Sequence, residues 1–84
     1  MIKIRVLYFA SVADRLGKRE ETISVQQGFD GNKLKQRVVQ LEPTLAPAMK
    51  SCRVARNQTF VADDELFADG DEVALIPPVS GGSE

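Results

Sequence analysis

The chain opens with an alternation of apolar and polar positions. Apolar side chains occupy every second position, at Ile2, Ile4, Val6 and Tyr8. This period of two predicts a β-strand with one buried face. Leu7 and Phe9 are apolar on the opposite face, which predicts that the second half of the strand is covered on both sides. A strand that is covered on both faces is a central strand of its sheet.

Two further local signals follow the first strand. The segment Ala10–Leu16 predicts a short helical turn, which Gly17 closes as a left-handed cap. Residues 20–26 alternate again and predict a second strand. Its β-branched residues Ile23 and Val25 share one face, which is typical of a half-buried strand.

The apolar spacing then changes to that of a helix, with Leu34, Val38 and Leu41 at i, i+4 and i+7. Asp30 is the predicted N-cap, and Phe29 and Leu34 can form a hydrophobic staple around it. Pro43 disfavours helical geometry in the residue before it. The pattern therefore predicts an amphipathic helix of about three turns that ends before Pro43.

The second half of the chain contains three short apolar segments, which predict strands over 52–56, 59–61 and 72–76. A loop that holds one helical turn is predicted over 43–50. The connection over 63–69 is acidic, and we expect its Leu66 and Phe67 to point inward. The carboxylates in and after this connection, including Asp71, lack the spacing of a calcium loop, so we expect them on a solvated edge.

The predicted order is strand, strand, main helix and three strands. This order favours an α+β fold, in which a sheet is covered on one face by a single main helix. The strand order within the sheet does not follow from this pattern.

Composition narrows the possible functions. The 84 residues suffice for one small domain, and 11 basic against 12 acidic residues give a net charge of −1. No block of like charges suggests a nucleic-acid or membrane partner. The chain has no histidine and one cysteine, which disfavours a metal site and self-contained acid–base catalysis. No signal peptide or membrane span is evident, so the expected location is the cytoplasm.

The end of the chain carries its most specific motif. The segment D-G-D-E-V-A-L-I-P-P-V-S-G-G at 69–82 resembles the C-terminal signature of the small subunits of molybdopterin synthase. Phe9-Ala10 and the segment V-A-R-N-Q at 54–58 are similar to the same family. The resemblance implies the ubiquitin-like β-grasp fold, a mixed sheet in which the first and last strands pair in the middle.

The resemblance also implies a function and its partners. In this family an ATP-dependent activating enzyme adenylates the terminal glycine, here Gly82, and a sulfur donor protein converts it to a thiocarboxylate. The large subunit of the synthase uses that sulfur to build the dithiolene of molybdopterin on cyclic pyranopterin monophosphate. The family suggests a heterotetramer of two small and two large subunits. The chain itself is expected to hold no cofactor and no metal.

One set of residues is assigned to partner binding: Phe60, Ile76, Pro77, Pro78, Val79, Ser80 and Gly81. Phe60 matches a contact position of the family, and Ile76 alternates with the core positions Val73 and Leu75. Prolines keep the base of the tail extended, and glycines let it enter a narrow active site. The six residues from Pro77 to Gly82 span about 20 Å when extended.

These assignments divide the chain into a β-grasp domain over 1–78 and a flexible tail over 79–84. Family members that are ready for activation end at the second glycine, whereas Ser83 and Glu84 follow here. The carboxyl group of Gly82 is then held in a peptide bond. We therefore expect the 84-residue form to be activated only after cleavage behind Gly82, whether it is a precursor, a cloning remnant or part of a fusion.

Three other functions remain open at this point. The first is a β-grasp sulfur carrier of another pathway, for thiamine, cysteine or tRNA thiolation, because these carriers share the terminal Gly-Gly. The second is a ubiquitin-like interaction module without sulfur chemistry. The third is an independent enzyme, which the absence of a nucleophile–base pair disfavours. Cys52 is expected to fill a strand position as a small buried hydrophobic residue.

Overall fold

A computed structural model describes residues 1–78 of the chain. Within that range the elements are β1 (Ile2–Tyr8), α1 (Ala10–Leu16), β2 (Glu20–Val25), α2 (Gly31–Leu41), a 3₁₀ turn (Pro43–Leu45), α3 (Ala46–Ser51), β3 (Arg53–Arg56), β4 (Thr59–Val61) and β5 (Glu72–Ile76). The predicted strands agree with these bounds to within one residue. The predicted division of the chain at residue 78 concerns a tail that lies outside the described residues.

The strands form a mixed sheet in the order β2-β1-β5-β3-β4. The two central strands, β1 and β5, run parallel, with Val6 opposite Val73 and Tyr8 opposite Leu75. The pairs β1–β2, β3–β5 and β3–β4 are antiparallel. The predicted pairing of the first and last strands in the middle of the sheet is therefore confirmed.

The core lies between the sheet and its helices. Leu34 and Val38 of α2 are fully buried and belong to one hydrophobic cluster with the inward side chains of the strands. The alternation in β1 is confirmed, because its even-numbered side chains, from Ile2 to Tyr8, are all buried. Burial of a Leu, Ile or Val side chain stabilises the fold by about 1.5–3 kcal/mol.

The predicted helix boundaries are confirmed by their caps. The Asp30 carboxylate accepts a hydrogen bond of 2.9 Å from the backbone N–H of Lys33, which is the geometry of an N-cap. Helix α2 ends at Leu41, two residues before Pro43. Gly17 closes α1 with a φ of 73°, in the left-handed region where glycine has no Cβ penalty.

Two apolar side chains that were predicted to lie inside are exposed. Leu41 is 51% exposed, because α2 ends at this residue and Leu45 and Met49 occupy the core after the turn. Leu66 is 59% exposed, because neighbours in an extended segment point in opposite directions. Phe67 takes the inward position there, with its ring centroid 6.4 Å from that of Phe29.

The segment after α2 is more helical than predicted. A 3₁₀ turn begins at Pro43 and is followed directly by α3, where the sequence analysis expected a loop with one turn. Both prolines occupy the first turn of their helical segments, where a missing N–H costs no hydrogen bond. Pro43 lies beyond the end of α2, as predicted, and it also begins the 3₁₀ turn that follows.

Asp71 is the one charged residue buried within residues 1–78, at 6% exposure. The expectation of a solvated edge is therefore wrong for Asp71. Its carboxylate accepts hydrogen bonds from Arg56 Nε at 2.6 Å, Asn57 Nδ2 at 3.1 Å and the Ala68 N–H at 2.7 Å. Burial alone would raise the pKa of Asp71, but these hydrogen bonds and the Arg56 charge lower it below its usual value. These hydrogen bonds link the β3–β4 hairpin to the residue that precedes β5.

Cys52 is buried, as predicted, and packs in the hydrophobic core. Burial raises the pKa of its thiol to about 11. Since the thiolate is the reactive form, this environment makes the side chain inert near neutral pH. The cysteine is a packing residue.

We predict that Asp71→Asn lowers the free energy of unfolding at pH 7 by about 2 kcal/mol, because Arg56 loses its buried counter-charge. The folded-state pKa of Asp71 is lowered, so its stabilising effect is present above the unfolded-state pKa and disappears as the pH falls through the folded-state pKa. Urea denaturation at several pH values should show the gap between wild type and variant closing in acid. The exposed Asp64→Asn is the matched control, and an equal loss in both variants would contradict this role.

We also predict that iodoacetamide alkylates Cys52 slowly in the native protein at pH 7. A pKa of about 11 against an ordinary value of 9.0 leaves about a hundredfold less thiolate. Mass spectrometry over time, with the urea-unfolded chain as control, measures the two rates. Native and unfolded chains that react equally fast would show that the thiol is accessible and charged.

Candidate functional site

One face of the sheet carries no helix within the described residues, and half of that face is apolar. We call this half the apolar patch; it consists of Leu7, Phe9, Ala55, Phe60, Ala74 and Ile76. These residues line a shallow depression of about 290 Å³ together with Gln58 and Glu72. Exposed apolar surfaces of this kind mark protein interfaces.

The strand register explains the shape of the apolar patch. Ala74 of β5 lies opposite Leu7 of β1 and Ala55 of β3, and Ala55 lies opposite Phe60 of β4. Two small alanines therefore occupy the middle of the patch, and larger side chains surround them. The result is a hollow with a mostly apolar rim, into which a partner's side chain can fit.

The two apolar residues on the second face of β1 have a different role from the predicted one. Phe9 is 45% exposed and Leu7 is only partly buried, so the prediction that this face is covered was wrong for residues 1–78. The helices lie on the other face of the sheet, with the buried core. The central position predicted for β1 is nevertheless correct.

The structure places the predicted binding residues Phe60 and Ile76 together at the apolar patch. Phe60 is 51% exposed and Ile76 is partly exposed, whereas Val73 and Leu75 are fully buried in the core. The predicted division of β5 between its two faces is thus confirmed. Partner binding by Phe60 and Ile76 stays a prediction.

The other half of this face is polar. Arg5 of β1 lies between two carboxylates, donating to Glu20 Oε1 from its Nε at 2.8 Å and to Glu72 Oε2 from a terminal nitrogen at 3.3 Å. These side chains are solvent-exposed, so the ion pairs contribute little to stability. They give the apolar patch a sharp polar border on the side of β2.

The described part of the chain ends at Pro78, two residues after Ile76 of the apolar patch. Pro77 directly follows Ile76 and is buried, whereas Pro78 is exposed. The remaining predicted site residues, Val79, Ser80, Gly81 and the reacting Gly82, lie outside the described residues. The roles of Pro77 and Pro78 toward a partner also stay predictions.

Residues 1–78 offer little other chemistry. No group of three or more histidine, cysteine or acidic side chains in this range could hold a metal ion. Nor does any helix in this range have the length and apolar character needed to cross a membrane.

The sequence analysis missed four residues of the apolar patch: Leu7, Phe9, Ala55 and Ala74. The signal for Ala74 was available, because it shares a face with Ile76 in a period-two strand. The apolar character of Leu7 and Phe9 was noticed but was attributed to burial within the chain. Burial against a partner gives the same sequence signal.

The chain is similar to known proteins over most of its length. The model of the ThiS family matches residues 6–82. The molybdopterin synthase sulfur carrier subunit of Chlamydomonas reinhardtii is 41% identical, over 96% of this chain and 100% of its own length. The human molybdopterin synthase sulfur carrier subunit is 39% identical, over 98% of this chain and 97% of its own length.

Solved structures agree with the fold. A protein of Pyrococcus furiosus described as molybdopterin converting factor subunit 1 has a TM-score of 0.80 at 26% identity, with 94% of this chain and 100% of that chain covered. SAMP1 of Haloferax volcanii has a TM-score of 0.78 at 30% identity, with 95% and 99% covered. A complex of molybdopterin-converting factor subunits 1 and 2 from Helicobacter pylori contains a chain with a TM-score of 0.65 at 23% identity, with 96% and 100% covered, and this likeness concerns the fold alone.

The predicted fold class is therefore confirmed as the ubiquitin-like β-grasp. The family match covers most of the chain, and curated relatives above 30% identity cover nearly all of it. The chain belongs to the ThiS family, and its curated relatives there are molybdopterin synthase sulfur carrier subunits.

Proposed function

We propose that this chain is a sulfur carrier of molybdenum cofactor biosynthesis. Its Gly82 carboxylate is converted to a thiocarboxylate and donates sulfur to cyclic pyranopterin monophosphate within molybdopterin synthase. The observation that carries the proposal is the apolar patch at the end of the sheet from which the Gly-Gly tail departs. The names of the curated relatives support the same pathway.

The thiocarboxylate of Gly82 forms in two steps, and other proteins catalyse both. The Gly82 carboxylate attacks ATP and forms an acyl adenylate, with release of pyrophosphate by the activating enzyme. A sulfide equivalent from the sulfur donor protein then displaces AMP and leaves the thiocarboxylate. Adenylation is necessary because a carboxylate oxygen is a poor leaving group. The location that we propose for the reaction is the cytoplasm.

The chain contributes positioning. It supplies a docking surface, the apolar patch, and an arm whose last two residues have no side chains. The six residues from Pro77 to Gly82 reach about 20 Å when extended, which is enough to enter a pocket while the body remains outside. Pro77, at the start of this arm, is buried, and its ring restricts the backbone there because φ is held at about −65°.

The partner that we propose for the apolar patch is the large subunit of molybdopterin synthase. The Helicobacter pylori structure of the same fold is a complex of subunits 1 and 2 of the molybdopterin-converting factor. A heterotetramer of two small and two large subunits is the assembly we expect. The activating enzyme is proposed to recognise the same patch at an earlier step.

A second candidate function is that of a protein modifier. The likeness to SAMP1, a small archaeal modifier protein, favours this possibility. A modifier also activates its terminal glycine, but it ends in an amide bond to a lysine and not in a thiocarboxylate. A carrier for another thiolation pathway would share the thiocarboxylate and differ in the protein that accepts the sulfur.

One prediction from this proposal concerns Gly82. A chain that ends at Gly82 should gain about 16 Da when incubated with activating enzyme, ATP and a sulfur source, because sulfur replaces one oxygen atom. The chain that ends at Glu84 should show no gain, since its Gly82 carboxyl group is in a peptide bond. Intact-mass spectrometry measures both. Equal thiocarboxylate formation on verified full-length chain would exclude Gly82 as the acceptor.

Two variants serve as controls for this measurement. Deletion of Gly82 and the change Gly81→Val should both abolish the mass gain, because the activated end no longer fits a pocket shaped for glycine. Thermal denaturation should be unchanged in both, since the tail follows the last core strand. A fall of many degrees in Tm would show that these residues support the fold.

A further prediction tests docking. Ile76→Lys should weaken binding to the large subunit by roughly a hundredfold, because it places an unpaired charge in an apolar contact. The matched control is Thr22→Lys, which adds the same charge to the polar half of the same face. Isothermal titration calorimetry gives both affinities. If the two variants bind equally well, the apolar patch is not the docking surface.

A further inference from the structure

Arg53 lies at the edge of the apolar patch and is held there by an aromatic ring. It is opposite Ile76 in the β3–β5 ladder, near the origin of the tail. Its guanidinium carbon lies 4.0 Å from the centroid of the Phe60 ring. This distance is well within the range of about 6 Å for a cation–π contact. One face of the guanidinium is therefore occupied by the Phe60 ring.

Within residues 1–78 the side-chain hydrogen-bond donors of Arg53 have no partner. A guanidinium carries five N–H donors in its plane, and contact through its face does not engage them. Arg5 and Arg56 each contact two carboxylates. Among residues 1–78 no carboxylate oxygen lies within 4.0 Å of Arg53, and its side chain makes no hydrogen bond.

Covering the apolar patch changes the surroundings of this cation. A partner that packs on Phe60 and Ile76 also removes water from the guanidinium that lies on Phe60. When an ion loses its water without gaining a counter-charge, the complex is strongly destabilised. A surface made only of apolar side chains would therefore bind this face poorly.

We propose that the partner of the apolar patch presents a carboxylate, from an aspartate or a glutamate, to the in-plane donors of Arg53. The inference rests on the proposed function, in which that partner is the large subunit of molybdopterin synthase. The planar fork of arginine matches a carboxylate with two parallel hydrogen bonds. The partner surface therefore has an apolar side chain that fills the hollow over Ala55 and Ala74. It also has one acidic residue at the margin of that contact.

This pair would determine orientation. Apolar contacts are non-directional, so the patch alone leaves the docked body free to rotate about the normal of the sheet. A bidentate charge pair at one margin fixes that rotation and suppresses other orientations. Because Arg53 lies opposite Ile76, next to the start of the tail, the pair aligns the arm with the pocket of the partner.

The test is the affinity of the full chain for the large subunit, measured by calorimetry at two salt concentrations. Arg53→Glu should weaken binding by roughly thirtyfold or more, and Arg53→Met, which keeps most of the apolar stem, should weaken it less. Added salt should weaken wild-type binding more than that of Arg53→Met. Lys50→Glu, an equal charge change on exposed α3, should bind as wild type does.

Charge exchange then identifies the acidic partner. Each surface aspartate or glutamate of the large subunit is replaced in turn by arginine, and one of these variants should restore binding of Arg53→Glu. Normal binding by Arg53→Glu and Arg53→Met, while Ile76→Lys fails to bind, would overturn the carboxylate and leave the docking surface intact. Normal binding by Ile76→Lys as well would overturn docking at the apolar patch and the carboxylate with it.

Discussion

The parallel pairing of β1 with β5 is the constraint on which the rest of this structure depends. It joins the two ends of the chain in the middle of the sheet, with Tyr8 opposite Leu75. Because the two strands are parallel, the residues that follow them, Phe9 and Pro77, lie at the same end of the sheet. The apolar half of the open face and the root of the Gly-Gly tail are therefore neighbours. If the two strands were antiparallel, Phe9 and Pro77 would lie at opposite ends of the sheet, about one strand length apart.

A single helical layer has a second consequence. The helices cover one face of the sheet, and a chain of this size has few side chains left to cover the other. The chain deals with the exposed face in two ways. Near β2 it presents ion pairs around Arg5, which are compatible with water. Near Pro77 the part of the chain that the structure describes leaves an apolar surface open, and this is the surface that we propose for docking.

The parts of the fold that depend on local chemistry could be predicted from the sequence. The Asp30 cap, the Gly17 cap and the inward face of β1 are each determined by a few adjacent residues. The burial of Asp71 could not be predicted, because its partners Arg56 and Asn57 are 15 and 14 positions away in the sequence. Phe9 was correctly predicted to lie on the second face of β1, but its exposure was missed, because periodicity does not show whether a face is covered. The position of the reacting glycine rests on the motif alone.

The same reasoning explains why the chemistry can depend on a tail. Within residues 1–78, Cys52 is buried with a raised pKa, so its thiol is not a ready nucleophile. In the proposed function, selectivity then lies in docking, since Gly-Gly ends are alike among carriers and modifiers. A carrier must also leave one partner before it meets the next, which limits how tightly an apolar patch can bind. A hollow of about 290 Å³ with one charged margin suits that need, because a single charge pair adds orientation without a large apolar area.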